Sequence, residues 1–149
     1  MIIIVFLVKV VKFISMLIAK NIKLLVVHCS DSEDRKNLTA LDIHKMHLKF
    51  GWDGIGYHKI INRSGKVENG RPEYWVGAHV KGKNSISLGV CLIGRRKFTK
   101  KQFISLERVL RKWKLVYPKA KIVGHRDTGN TFKTCPNFDV KAWVKNKFI

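Results

Sequence analysis

The sequence predicts a single α/β domain with a central mixed β-sheet flanked by helices. Three observations predict it: short β-branched runs alternate with longer amphipathic stretches, two capping boxes open the long stretches, and 149 residues suffice for one core. No internal repeat or low-complexity tract interrupts the pattern.

Ile22 to Cys29 is a short β-branched run bounded by the polar stretch Ser30 to Asn37, which predicts a buried strand. Thr39-Ala40-Leu41-Asp42 has capping-box spacing and predicts a helix to about Lys49, closed by Gly51. Tyr57 to Asn62 and Lys66 to Glu68 flank the turn Asn62-Arg63-Ser64-Gly65, predicting a hairpin. Gly70 to Asn84 is rich in Gly and polar residues and predicts a long binding loop. Ile86 to Ile93 predicts a central strand. Thr99-Lys100-Lys101-Gln102 is the second capping box. Its helix carries Phe103, Leu106, Leu110, Trp113 and Tyr117 at spacings of three and four, and Pro118 stops it. Lys121 to Gly124 predicts a last strand ending at His125, and Asp139 caps a terminal helix, Val140 to Lys147.

Hydrophobic residues at 46% and charged residues at 27% describe a globular chain, but Lys and Arg total 30 against 10 Asp and Glu, a formal charge of +20. Such a field attracts polyanions without choosing among nucleic acid, anionic lipid and acidic wall polymers. A specific nucleic-acid partner is not expected, because no recognisable reading element accompanies the charge.

Residues 1–19 are read apart from the domain at 20–149. They are apolar, yet Lys9 and Lys12 break them into runs too short for the roughly 18–20 residues that span a bilayer. The readings left open are a signal or anchor, a membrane-surface element, and upstream sequence with Met16 as the natural start. Localisation divides accordingly between the cytoplasm and a membrane-associated or exported state.

Three cysteines, an odd and sparse set, argue against a disulfide framework. Cys91 lies in an apolar run and reads as core. Cys29 follows His28 on a strand, so the two side chains point to opposite faces and are not expected to share a metal. His28, His125 and Cys135, brought together by folding, would supply three zinc ligands and leave the fourth position open, the arithmetic of a catalytic site. His28 ends one strand and His125 follows another, and strand ends are where α/β proteins place ligand sites. The spacing alone is only moderately specific among six histidines.

The surrounding residues narrow it. Val27-His28-Cys29-Ser30, Gly51-Trp52, Gly56-Tyr57-His58, Val67-Glu68-Asn69-Gly70-Arg71, Val76-Gly77-Ala78-His79, Asn84, Leu88 to Gly94, Gly124-His125-Arg126 and Lys133 to Asp139 follow one another in a recognisable order. In these the chain resembles the zinc-dependent N-acetylmuramoyl-L-alanine amidases, particularly the phage amidase-type lysozymes and the related peptidoglycan recognition proteins. The resemblance covers about Lys23 to Lys145. It implies one Zn2+ ion on His28, His125 and Cys135, with Tyr57 and Lys133 as catalytic residues. His79, Asn84 and Arg71 are implied as substrate-binding, and bacterial peptidoglycan as the substrate. The same resemblance leaves two alternatives: a binding-only module, which Cys135 argues against, and a phage RNA polymerase as a second partner. His47 is expected to be a packed structural histidine, His44 a surface residue, His58 to point away from the face of Tyr57, and Asp127 to serve a turn or cap. Asn137 stands where Gly or Ser is common in the family.

Overall fold

The computed structural model describes residues 21–129 and 131–148, so the expectations for residues 1–19 lie outside the described residues. The predicted strands form one mixed sheet. Its members are β1 (Leu24–Cys29), β2 (Lys59–Ile61), β3 (Val67–Asn69), β4 (Ser87–Leu92) and β5 (Lys121–Gly124), in the spatial order β3-β2-β4-β1-β5. β1 pairs in parallel with both β4 and β5, β2 pairs in parallel with β4, and among the described residues only the β2–β3 hairpin is antiparallel. Parallel neighbours require crossovers, which here are helical or long-loop connections.

Strand alternation sends residues to two different layers. Leu25 and Val27 of β1, with Leu88, Val90 and Leu92 of β4, meet Leu106, Val109, Leu110 and Trp113 of helix α2 (Lys100–Val116) and Val140 of α3 (Val140–Lys147). On the opposite face Ile60, Cys91 and Ile93 pack on Ile43 of α1 (Ala40–Lys49). Cys91 is therefore core, as its apolar run indicates. The helix ends follow the sequence signals. Thr39 with Asp42 and Thr99 with Gln102 form reciprocal capping boxes, and Asp139 accepts from the Ala142 backbone N–H.

Leu110 is fully buried between α2 and the sheet. Its replacement by Ala is expected to cost about 2–5 kcal/mol, read as a lower urea midpoint at unchanged slope.

Candidate active site

β1 is an interior strand flanked on both sides by parallel partners, and β1 and β5 deliver their C-terminal ends side by side. His28 is the penultimate residue of β1 and 1% exposed. His125 opens a 3-10 turn directly after β5. Asp127 Oδ2 accepts from Gly124 N at 3.0 Å and Thr128 Oγ1 donates to His125 O at 2.8 Å, which fixes that turn. Asp127 is thus the local cap that its position suggests.

The loop carrying Cys135 folds back because Arg126 N donates to Cys135 O at 2.8 Å. Its thiol lies over the end of β1, where Cys29 N donates to Sγ at 3.2 Å. Nδ1 of His28 is 4.0 Å from that sulfur. The His28 and His125 rings are 4.6 Å apart between centroids. One ligand atom from each of His28, His125 and Cys135 lies within 4.8 Å of the others, a group able to hold a metal ion.

Cys29 leaves β1 towards the α2 and α3 layer while His28 faces α1, as alternation requires. The Cys135 loop crosses the strand end between them, so the Cys29 thiol still comes within 3.9 Å of Cys135 Sγ. The hydrogen bond from Cys135 pulls the Cys29 thiol pKa down, and the same bond, with burial, drives Cys135 well above the usual thiol range. A cation held by Cys135 would favour its thiolate.

Asn137 follows in the left-handed region, at φ 67°. Asn tolerates this conformation better than most residues. Its Nδ2 donates to Arg95 O at 2.8 Å, pinning the loop to the segment after β4. This accounts for Asn where Gly or Ser is common.

A cleft of about 860 Å³ opens over these groups and is bordered by Tyr57, Trp52, His47, Asn84 and Lys133. Tyr57 packs on the His28 ring at 5.0 Å between centroids. Burial, then the surrounding thiols, raises its pKa well above the ordinary phenol value, so the hydroxyl keeps its proton. Lys133 is exposed at the rim. Its charge reaches inward: His125 is held below its usual pKa first by burial and then by Lys133, and His28 is lowered chiefly by burial.

His47 is a packed histidine, accepting at Nδ1 from Gly56 N and lying 4.6 Å from the Trp52 ring. His44 departs from the expected surface position. It is half-buried, and its Nδ1 accepts from Ile55 N at 3.1 Å, closing the turn at Gly54. The position of His58 is set by its backbone N–H, which donates to Gly89 O. It is wholly buried, accepts from Gly89 N at Nδ1 and bonds Trp75 O through Nε2.

Arg71 is not brought to the cleft. Its guanidinium donates to Ile55 O and Val76 O, so it braces two loops, which differs from a substrate contact. Asn84 borders the cleft, but its Oδ1 accepts from both His79 N and Val80 N. His79, expected at the substrate groove, borders the cleft but is only 9% exposed, and its Nδ1 lies 2.9 Å from His28 Nε2. Sequence spacing carries no signal for that contact, since 51 residues separate the two.

The buried histidines make the fold acid-sensitive. Burial lowers His58 to about 4 and His79 to about 3. Folded-state values below the unfolded value mean that the unfolded chain binds more protons, so stability is full above pH 6.5 and falls as the pH drops towards 4. Each such group costs about 1.4 kcal/mol per pH unit well inside that window. Urea midpoints of metal-free protein are expected to fall steeply from pH 6 to pH 4; flat midpoints would contradict the buried neutral rings.

The family model described as N-acetylmuramoyl-L-alanine amidase matches residues 19–138, from just before β1 to the loop beyond Cys135. The endolysin of Enterobacteria phage K11 is 42% identical over 127 residues, covering 80% of this chain and 83% of its own length. Among solved structures, the N-acetylmuramoyl-L-alanine amidase LysC from Clostridium intestinale URNW superposes with a TM-score of 0.76 at 30% identity, covering 86% of this chain and 85% of that one. Bumblebee PGRP-SA shares the fold, with a TM-score of 0.76 at 24% identity, over 89% of this chain and 84% of its own. A match that runs through the strand ends and loops assembling His28, His125 and Cys135, together with these relatives, establishes that the chain belongs to the N-acetylmuramoyl-L-alanine amidase family.

Proposed function

We propose that this chain is an endolysin-type N-acetylmuramoyl-L-alanine amidase. It hydrolyses the amide between the lactyl group of N-acetylmuramic acid and L-alanine in bacterial peptidoglycan, with Zn2+ held by His28, His125 and Cys135. The observation that carries the reading is the convergence of those three donors at one end of the sheet, beneath an open cleft. Their chemistry suits zinc. Bonds of about 2.0 Å to nitrogen and 2.3 Å to sulfur at a tetrahedral angle separate the donors by about 3.6 Å, and His28 Nδ1 and Cys135 Sγ are 4.0 Å apart. Two neutral imidazoles and one thiolate leave a fourth position open, as catalytic sites do. When bound, zinc supplies a Lewis acid and water acidified towards neutral pH.

The chain's own residues supply the rest. Tyr57, kept protonated by burial, offers a hydroxyl donor on the His28 side of the cleft. Lys133, at the rim two residues before Cys135, offers positive charge where negative charge develops on the attacked carbonyl oxygen. Asn84 holds the 79–80 backbone at the cleft border, and Trp52, 46% exposed, offers an apolar wall for the stem peptide or sugar. The high positive charge favours approach to an anionic wall. Among the described residues nothing supports the polymerase-binding alternative, and membrane contact through residues 1–19 rests on no described structure.

Defined muropeptides test the reading. New free amino groups without new reducing sugar ends, abolished by chelation and restored by zinc, are the expected products. New reducing ends, or full activity after verified metal removal, would overturn it.

A further inference from the structure

We propose that His79 is a positioning residue: it accepts a hydrogen bond from His28 Nε2 and so holds His28 in the tautomer whose bare Nδ1 faces Cys135. The purpose given to that tautomer rests on the reading of His28 as a metal ligand; the tautomer itself does not.

The proton positions follow from the far end of a short chain. Ser87 Oγ lies 2.7 Å from Lys83 O, which accepts its single hydroxyl proton. Towards His79 Nε2, at a longer 3.4 Å, Ser87 then has only lone pairs to offer. His79 accordingly carries its proton on Nε2, and its Nδ1 is an acceptor. Nδ1 faces His28 Nε2 at 2.9 Å, so His28 is the donor there. His28 is 1% exposed, and the N–H it donates is the one on Nε2. Its Nδ1 is left with a free lone pair, 4.0 Å from Cys135 Sγ.

The surroundings hold His79 for this contact. Asn84 Oδ1 accepts from the backbone N–H groups of His79 and Val80 at 2.8 and 2.9 Å. Two glycines leave room for the ring: a Cβ on Gly89 would come 2.7 Å from His79 Nδ1, and one on Gly77 2.5 Å from Cδ2. The His28 and His79 rings meet edge to face, at 84° and 5.0 Å between centroids. Histidines that hold metals usually donate their other N–H to an acceptor, which fixes ring orientation and tautomer. An imidazole does this without placing a full negative charge beside the ring, as a carboxylate would.

The test begins with metal-free full-length protein. Long-range proton–nitrogen correlation of the imidazoles is expected to show His28 and His79 both protonated at Nε2. A His28 protonated at Nδ1 would overturn the proposal. Chelator competition then measures zinc affinity. His79→Leu, which removes the acceptor, is expected to weaken zinc about 10–100-fold, whereas His79→Asn, whose Oδ1 can take the place of Nδ1, should stay within about threefold of wild type. Equal affinities for all three proteins would overturn the positioning role. Ser87→Ala is expected to release the tautomer preference of His79; an unchanged His79 spectrum would break the relay. If the wild type bound no zinc, the metal reading would fail while the tautomer measurement still decided the hydrogen-bond chain. Should His79→Leu fail to fold, the wild-type spectrum and the Asn and Ser87 variants retain the test.

Discussion

Cys135→Ser is expected to lose bound metal and reduce amidase turnover about a thousandfold or more, the effect of removing several kcal/mol of Lewis-acid stabilisation. A serine hydroxyl is a far weaker zinc donor than a thiolate, and it is shorter, so two histidines would be left to hold the ion. Cys135 is also the ligand that arrives last along the chain, on a loop tied down by the Arg126 N to Cys135 O bond. That bond runs through the backbone and survives the substitution, so the cleft should keep its shape. Zinc content by elemental analysis, with the thermal midpoint of metal-free protein as control, separates metal loss from unfolding. A Cys135→Ser protein that retained stoichiometric zinc and wild-type turnover would remove the basis of the mechanism.

The second large effect is expected at Lys133. Lys133→Ala should lower turnover by about 10²–10³, the usual cost of deleting one donor aimed at a developing oxyanion, with zinc retained. Lys133 is exposed and its backbone N–H accepts no role in the metal group, donating instead to Thr131 Oγ1. The substitution should therefore leave folding stability nearly unchanged. It has a further signature. Lys133 contributes to holding His125 and His28 below their usual pKa, after burial in both cases. Removing the charge lets both rise, so the acid limb of zinc binding should move to higher pH. Loss of zinc at neutral pH, or an acid limb that does not move, would mean that Lys133 acts elsewhere.

Much of the site is legible in the sequence because it rests on local signals. His28 and His125 stand at the ends of β-branched runs, and parallel strand ends gather at one edge of a sheet. Thr39, Thr99 and Asp139 announce their helices through side-chain acceptors within three residues. The odd cysteine count and the apolar neighbours of Cys91 separate a core thiol from one free to bind a metal.

The interior polar contacts are not local and leave no such trace. Arg71 looks like a cleft residue, yet its guanidinium finds the carbonyls of Ile55 and Val76 when two loops pack together. His44 looks solvated until the Gly54 turn closes over it. His58 carries no local sign of burial, yet its backbone N–H donates to Gly89 O and its ring is wholly buried.

Periodicity and capping act over a few residues, so the sequence by itself determined the mixed α/β sheet and its helix ends, and its order of motifs offered His28, His125 and Cys135 as candidate ligands. Only the tertiary structure decided how those groups are held: which thiol neighbours Cys135, which carbonyls Arg71 braces, and that His79, at the border of the cleft, bonds His28. The reason is physical. A buried polar atom must find its partner wherever packing puts one, and across 51 or 106 residues that partner is chosen by the folded chain.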